Sequence, residues 1–390
     1  MRVTLVSNIF PPAVGGPATH VYHLAQSLHE RGHSVHAVVC TDDPEGAVTV
    51  PYPLVRVSWS VPVPLRYLLV LWHTWRAALR SDVVYINGIE FPSSVGALLA
   101  GRPRVLKVVG DWAWESAIRR GLTTLGIDAF QNAAHCTRSR VFRAIQQIYC
   151  RLASVVVVPS AYVGSLVASW GVDARKTHVI QNALTSAPRP DLDADTVHDS
   201  LGLSPPVICN VSRLYRWKNV DALIRMVPRF ERGATLLVVG DGPERPRLEQ
   251  LAGVLKVADR VVFIGDVPHD RVATYLRASD LCVLNTQYEG LSHTLVEARH
   301  VGTPIVTTDI GGNREILHHE HSALLVPFGD EDAFASAVNR LLNDPAYGEQ
   351  LARAAKSGLE HFHWDRLVDE TLVLLQDVIQ RRPGAARAAA

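Results

Sequence analysis

The sequence has little of what marks a secreted or membrane-spanning chain. It holds five cysteines in 390 residues, widely spaced and without a C-x-x-C pair. That usage favours a reducing compartment, where a free thiol packs as a small apolar group. No secretory signal is visible, because Met1-Arg2 leads directly into a short strand pattern. The longest apolar stretch, around Val61 to Trp72, is interrupted by two prolines and an arginine and is too short to cross a bilayer. We expect a cytoplasmic protein.

A dinucleotide fingerprint is also missing. The first strand pattern, Val3 to Ser7, is followed by a loop with the pair Gly15-Gly16, which does not match G-x-G-x-x-G. A glycine pair lets the backbone approach a ligand closely, although in many loops it only forms a turn.

Charge of either sign is not in excess over the whole chain, but it is unevenly distributed. The formal net charge is +1. Residues 1–183 hold 17 Lys and Arg against 10 Asp and Glu, whereas residues 184–390 hold 22 against 28. The basic half could face an anionic membrane or an anionic acceptor. Scattered, solvated arginines explain the same count equally well.

Apolar runs alternate with amphipathic helical patterns, which predicts an α/β protein with doubly wound parallel sheets. The length and the 47% hydrophobic content suit two domains with separate cores. We expect a first Rossmann-like domain over 1–183, a Pro- and Asp-rich linker over 184–204 and a second domain over 205–365. A helix over about 366–380 is expected to pack back on the first domain, and 381–390 to be a disordered tail.

Two glutamates mark the segment around which the second half is organised. An apolar strand pattern ends at Asn285, Glu289 lies in the loop that follows, and Glu297 lies on the next predicted helix. The helix start and the glycine turn at Gly311-Gly312 provide backbone N–H groups that suit an anion. Carboxylates beside such a site can accept hydrogen bonds from sugar hydroxyl groups. By itself this spacing is equally compatible with solvated glutamates.

Two cations, Arg213 and Lys218, lie in the loop after an earlier strand pattern of the second half. They can converge on one phosphate group without a metal ion. A D-x-D sequence occurs within Asp191 to Asp195, but no apolar strand precedes it and prolines lie close by. We interpret this segment as solvated linker and expect no metal site.

Asp111 is the candidate of the first half. It follows Gly110 at the carboxyl end of the strand pattern 105–109, and ligands bind at that edge of open α/β sheets. A helix N-cap is the equally weighted alternative.

Four motifs, which occur here in the order in which a known family carries them, give the chain a resemblance to that family. They are S-R-L-Y-R-W-K-N with Arg213 and Lys218, V-V-G-D-G-P, F-I-G-D-V-P, and E-G-L-S-H-T-L-V-E with Glu289 and Glu297. The match extends from V-S-N-I-F-P-P-A-V-G-G near the start to F-H-W-D-R near the end. The chain resembles retaining glycosyltransferases of family 4, whose GT-B fold places the donor site between two Rossmann-like domains.

The resemblance implies a role for each matching position. Glu297 would bind the ribose of a UDP- or GDP-linked sugar, Glu289 would face the transferred sugar, and Arg213 and Lys218 would neutralise the leaving diphosphate. No cofactor or metal is implied, since the nucleotide sugar is itself a substrate. The remaining positions implied to contact the donor are Gly15, Gly16, Gly240, Ile264, Gly265, Gly290, Leu291 and Ser292.

The chain departs from the family pattern at one place. Many relatives carry a histidine where this chain has Gly110-Asp111, so Asp111 is a candidate substitute in positioning the sugar. Two other functions stay open: a nucleotide-sugar 2-epimerase of the same fold, and a non-catalytic protein that binds sugar nucleotides.

The sequence also suggests what kind of acceptor the protein uses and where the protein reaches it. Segments rich in Leu, Trp and Tyr in the basic half, such as Tyr67 to Trp75, have arginines on both sides. That mixture suits an anionic membrane interface. We therefore expect a sugar- or lipid-linked acceptor, reached at the inner face of the membrane, and no nucleic acid partner. An ordinary amphipathic helix packed on the sheet explains the same pattern.

Overall fold

The fold is described from a computed structural model of the chain. It describes residues 1–13, 16–42 and 48–381. The chain forms two compact units. The first unit contains Met1–Gln181 and the chain from Trp364 onward, and the second contains Asn182–His363.

The strands are named in chain order. They are β1 (Arg2–Ser7), β2 (Ser34–Thr41), β3 (Leu54–Ser58), β4 (Val83–Asn87), β5 (Arg104–Lys107), β6 (Val155–Val158), β7 (Thr177–Val179), β8 (Val207–Val211), β9 (Thr235–Val239), β10 (Val261–Gly265), β11 (Leu281–Leu284), β12 (Ile305–Thr308) and β13 (Leu324–Val326).

The α-helices are named in the same way. They are α1 (Gly16–Glu30), α2 (Val63–Ala78), α3 (Glu90–Leu99), α4 (Trp112–Arg119), α5 (Ile127–Asn132), α6 (Thr137–Leu152), α7 (Ala161–Ser169), α8 (Ala194–Leu201), α9 (Val220–Met226), α10 (Arg245–Val254), α11 (Val272–Arg277), α12 (His293–Val301), α13 (Asn313–Ile316), α14 (Glu331–Asn343), α15 (Pro345–Ala355) and α16 (Trp364–Gln380).

The first unit is built on a parallel sheet with strand order β3-β2-β1-β4-β5-β6-β7. Its central strands are apolar and buried, as expected for a parallel sheet covered on both faces. The strand order reverses beside β1, which is the type of position where open α/β sheets bind ligands. Trp114 and Trp170 are among the largest fully buried side chains.

Helix α16 contacts the first unit although it comes last in the chain. Trp364 donates from Nε1 to Ser27 Oγ of α1 at 2.9 Å. Arg31, just after α1, pairs with Asp365 at 3.3 Å and also with Asp369. The helix begins at Trp364, two positions before its predicted start.

The second unit repeats the architecture with strand order β10-β9-β8-β11-β12-β13. Its neighbouring strands pair in parallel, and residues such as Leu236 and Val283 are fully buried. Two doubly wound parallel sheets confirm the predicted fold class.

The expected linker over 184–204 holds a helix instead of a solvated coil. Asp193 caps α8 by accepting from the Thr196 N–H at 2.8 Å, and Gly202 ends it at a φ of 62°. Val197 is buried, and α8 packs on α11 of the second unit. This helix was not predicted because the segment is rich in proline and aspartate. Asp193, which we interpreted as a solvated linker residue, is the N-cap of the helix. Residues 382–390 of the expected tail lie outside the described part of the chain.

In the ranges that the structure describes, we find no helix whose length and apolar character would let it span a bilayer.

Candidate functional site

Arg213 lies in the loop after β8, and an aromatic pair supports it. Its Nη2 atom is 3.2 Å from the Tyr215 hydroxyl oxygen, and its guanidinium carbon lies 5.2 Å from the centre of the Tyr215 ring. Tyr215 in turn stacks on Trp217 with ring centres 4.7 Å apart and planes 4° apart. Arg213 is exposed. It is therefore a solvent-facing cation whose position is set by a cation–π contact.

Lys218 ends the short 3-10 turn Arg216–Lys218 and reaches the loop after β11. Its Nζ atom donates to Oε1 of Glu289. Trp217 joins the same two loops through its carbonyl oxygen, which accepts from Gln287 N at 2.8 Å and from Thr286 Oγ1 at 3.1 Å. The structure thus brings the predicted cation and the predicted carboxylate into direct contact.

The loop 290–292 precedes α12 and packs against the next strand-to-helix junction. Gly312 N donates to Glu289 O at 3.0 Å. A Cβ atom on Gly312 would lie 2.1 Å from Gly290 O, so only glycine allows this approach. Ser292 caps α12 by accepting from Leu295 N at 3.4 Å. The positive end of α12 therefore points at the loop that carries Glu289.

Glu297 lies one turn into α12 and is buried. Burial raises the pKa of Glu297 to about 8. The Nε2 atom of His269, in the loop after β10, is 3.3 Å from Glu297 Oε1. Partial desolvation lowers the pKa of His269. Desolvation therefore disfavours the charged form of both partners.

The ends of β9 and β10 meet at two glycines. Gly240 N donates to Gly265 O at 2.8 Å. Gly240 has a φ of 122°, and a Cβ atom there would lie 2.2 Å from Ser212 O. Gly265 also has positive φ, at 87°, and Ile264 beside it is partly exposed. Gly240 is thus required for the close approach of the chain at the end of β9 to the end of β8, and Gly265 for its positive φ.

The first unit places Asp111 as the cap of α4. Asp111 Oδ1 accepts from Trp114 N at 2.9 Å and from Gln146 Nε2 at 3.0 Å, while Oδ2 accepts from Gln131 Nε2 at 2.8 Å. The carboxyl group is buried, and desolvation raises its pKa. Of the two interpretations left open by the sequence, this geometry favours the N-cap. Gly16 is the first residue of α1, and Gly15 lies outside the described residues.

Three features of the structure were not predicted from the sequence. His269 precedes Glu297 by 28 positions in an exposed loop, and nothing local links the two. The stacking of Tyr215 on Trp217 depends on the 3-10 turn that begins between them, which the sequence did not predict. Lys107 could have been noticed as the single charge in the apolar run 105–109. It is buried, and Nζ has no hydrogen-bond partner among the described residues.

The second unit offers chemistry suited to a sugar diphosphate. Arg213, Lys218 and Glu289 lie on loops at the carboxyl ends of the adjacent strands β8 and β11, and Glu297 lies on α12, the helix after the second of these loops. Fixed positive groups stabilise a leaving group that gains negative charge, and carboxylates bind hydroxyl groups. No cluster of metal-binding side chains occurs among the residues that the structure describes. Asp191 pairs with Arg271 at 3.0 Å and accepts from Thr274, and Asp193 caps α8.

Two parallel doubly wound units with this loop site define the class, a glycosyltransferase of GT-B fold. The family model "Glycosyltransferase Family 4" matches residues 14–186, and the model "Glycosyl transferases group 1" matches residues 194–358. The chain belongs to glycosyltransferase family 4. The resemblance given by the four motifs is therefore confirmed.

Individual proteins agree with this assignment. Glycogen synthase of Mycobacterium tuberculosis is 26% identical over 406 residues, covering 95% of this chain and 93% of its own. The 2-deoxystreptamine N-acetyl-D-glucosaminyltransferase of Streptomyces fradiae is 28% identical, covering 88% and 86%. The structure of Anabaena HepE in complex with UDP and glucose has a TM-score of 0.79 at 19% identity, covering 97% of this chain and 100% of that one.

Proposed function

We propose that the protein is a retaining glycosyltransferase that moves a hexose from a UDP- or GDP-linked donor to an acceptor hydroxyl group in glycan synthesis, without a metal ion. The observation that carries this proposal is the contact between Lys218 and Glu289 at the N-terminal end of α12. It joins a cation for the leaving diphosphate to a carboxylate for the sugar in one rigid loop pair. The UDP and glucose present in the HepE structure support the same class of donor.

Each residue has a defined task in the proposed reaction. Arg213 and Lys218 neutralise the diphosphate as the bond to the anomeric carbon breaks, which stabilises an oxocarbenium-like transition state. The leaving phosphate oxygen takes the proton of the acceptor hydroxyl, and the new bond forms on the same face of the sugar. Glu297 binds the ribose. The backbone around Ile264 and Gly265 meets the base, while Asp111 supports α4 without contacting the substrate.

The acceptor side of the proposal is a sugar- or lipid-linked hydroxyl group, reached by a cytoplasmic enzyme at the inner face of the membrane. Glycogen synthase and the deoxystreptamine transferase act on different acceptors by their names. Support for a lipid-linked acceptor therefore comes from the basic first half of this chain.

A panel of UDP- and GDP-sugars tests the donor. A ligand that binds only the folded state raises the melting temperature by mass action, so the true donor gives the largest shift. Proton NMR with that donor then follows turnover. Transfer or slow hydrolysis that releases the sugar as its initial anomer is expected with retention.

Three results would contradict the proposal. Release of the inverted anomer removes the retaining mechanism. Exchange of the hydrogen at C2 of the sugar without release of the nucleotide indicates a 2-epimerase. A thermal shift without any turnover of the donor indicates a binding protein.

A further inference from the structure

An apolar strip is exposed on the outside of the first unit. On α2, Leu65, Leu68 and Trp72 follow at intervals of three and four residues and so lie on one side of the helix. Leu68 is 63% exposed and Trp72 is 50% exposed. A soluble helix normally turns such a stripe to the core. Here the core side of α2 is already occupied by Val70, Thr74 and Ala77.

Neighbouring helices extend this strip. Helix α2 packs on α3, and α3 packs on α6. Leu98 and Leu99 are exposed at the end of α3, and Val141 and Ile148 are exposed two turns apart on α6. We call these seven side chains the apolar surface: Leu65, Leu68, Trp72, Leu98, Leu99, Val141 and Ile148. Several exposed apolar side chains on helices that pack together indicate an interaction site.

Positive charge surrounds the apolar surface. Residues 46–172 contain 13 Lys and Arg against five Asp and Glu, and 129–172 contain no acidic residue. Of the five acids, Asp111 is buried and Asp82 pairs with Arg2. Several exposed arginines on α2, α4 and α6 or beside them form no ion pair with described residues: Arg76, Arg80, Arg119, Arg138 and Arg140. Arg66 is not one of them, since its guanidinium group lies buried, 4.3 Å from the Trp59 ring centre.

We propose that the apolar surface docks on an anionic lipid bilayer, with Leu68, Trp72 and Ile148 entering the interface and the arginines binding phosphate headgroups. Tryptophan and leucine side chains flanked by arginine have the composition of an interfacial helix surface. The charge favours an anionic partner over a neutral one, because arginines that form no ion pair with described residues can bind phosphate groups. The proposal rests on the proposed function in one respect only: docking would bring the first unit to a lipid-linked acceptor.

Co-sedimentation of the full-length protein with vesicles tests the docking. Vesicles of phosphatidylcholine alone are compared with vesicles that also contain phosphatidylglycerol. We expect binding only to the anionic vesicles, weakened by salt. Each arginine near an anionic surface contributes about a factor of five in binding. Arg76→Glu with Arg80→Glu should therefore lower the binding constant about 25-fold or more.

Matched variants separate the apolar contribution from general solubility. Leu68→Ser with Trp72→Ser should abolish binding at moderate salt. Val254→Ser changes a valine that is 71% exposed on α10 of the second unit and should bind as the wild type does. Arg353→Glu, an exposed reversal in the second unit, is the charge control. Donor-induced thermal stabilisation should be unchanged in all four variants, so failure of docking and failure of the donor site are distinguished.

Two results would overturn the proposal. One is equal recovery in the supernatant with both vesicle types at low salt. The other is a wild-type dimer in sedimentation velocity that Leu68→Ser with Trp72→Ser converts to monomer, with no vesicle binding by either protein. That result would assign the apolar surface to a second copy of the chain.

Discussion

Lys218 and Glu289 are 71 positions apart in the chain, and the ammonium group of the first donates directly to the carboxylate of the second. The lysine comes from the loop after β8 and the glutamate from the loop after β11, which are adjacent strands. A buried pair of this kind is costly to break from one side, because the remaining charge loses its partner. The contact fixes both groups at the carboxyl ends of neighbouring strands.

Loss of either proposed phosphate cation should slow turnover strongly. Arg213→Ala and Lys218→Ala should each cost about 2–4 kcal/mol of transition-state stabilisation, the range for removing one preorganised group. Arg216→Ala is the matched control, since Arg216 lies in the same turn but pairs with Glu244 at 3.6 Å and is exposed. Its effect should stay within about 0.5 kcal/mol. Steady-state kcat/KM is measured for all three variants. Values within a few-fold of wild type for Arg213→Ala and Lys218→Ala would show that these residues do not form the proposed phosphate site.

Donor binding should depend on pH through Glu297. Ribose hydroxyl groups donate best to a carboxylate, whereas burial holds the pKa of Glu297 at about 8 in the free protein. Binding should therefore release a proton, and affinity should rise between pH 6 and 8. Calorimetry of UDP or GDP in buffers of different ionisation enthalpy measures the proton. Glu297→Gln should bind more weakly and lose the pH dependence; an unchanged pH slope in this variant would exclude Glu297.

The same pKa has a consequence for stability. The pKa of Glu297 is raised from 4.5 to about 8, so the folded state binds more protons than the unfolded state between these values. Its contribution is fully present below about pH 4.5 and is lost as pH rises through 8.

Chelation should leave activity intact. In the proposed reaction, Arg213 and Lys218 supply the charge that a metal ion would otherwise bring to the diphosphate. Asp191 is already paired with Arg271, and Asp193 with the start of α8. Turnover after exhaustive EDTA treatment should equal that of the untreated enzyme, and Asp191→Asn should turn over normally. Lost activity that Mn²⁺ or Mg²⁺ restores would show that a metal ion takes part.

Lys107→Met should stabilise the protein, and more so at low pH. Burial lowers the pKa of Lys107 from 10.5 to about 7, and Nζ has no partner among the described residues. Stability due to this group is present at high pH and is lost as pH falls through 7. The gain in unfolding free energy should be on the order of 3 kcal/mol at pH 6 and smaller at pH 9. Chemical denaturation measures it, with the exposed Lys356→Met as control; a destabilised variant at pH 6 would show that Lys107 has a partner in solution.

Gly312 should tolerate no side chain. Gly312→Ala places a Cβ atom 2.1 Å from Gly290 O, which must displace the loop that carries Glu289. Donor affinity should fall at least tenfold as the carboxylate moves. Gly253→Ala is the matched control, because nothing lies within 4 Å of its Cβ position on α10. It should gain up to about 1 kcal/mol of stability and keep its donor affinity, as titration calorimetry can show; normal affinity in Gly312→Ala would mean that the loop position is not critical.

The sequence alone determined the fold class and the elements on which the candidate site residues of the second unit lie. Apolar runs fix buried parallel strands, since only both-face burial tolerates them. Arg213, Lys218 and Glu289 were placed in strand-to-helix loops, and Glu297 on the helix that follows, because loops and helix starts can be predicted from local patterns. Motif order along the chain supplied the family.

Tertiary structure decided what depends on groups that are distant in sequence. Only packing shows that Lys218 meets Glu289, that His269 meets Glu297, and that Gln131 and Gln146 take up the carboxylate of Asp111. The exposure of Leu68 and Trp72 was likewise decided by the tertiary structure. An amphipathic pattern gives a helix two sides, but which side faces the sheet is set by the neighbouring elements, because burial is a property of the assembled layers.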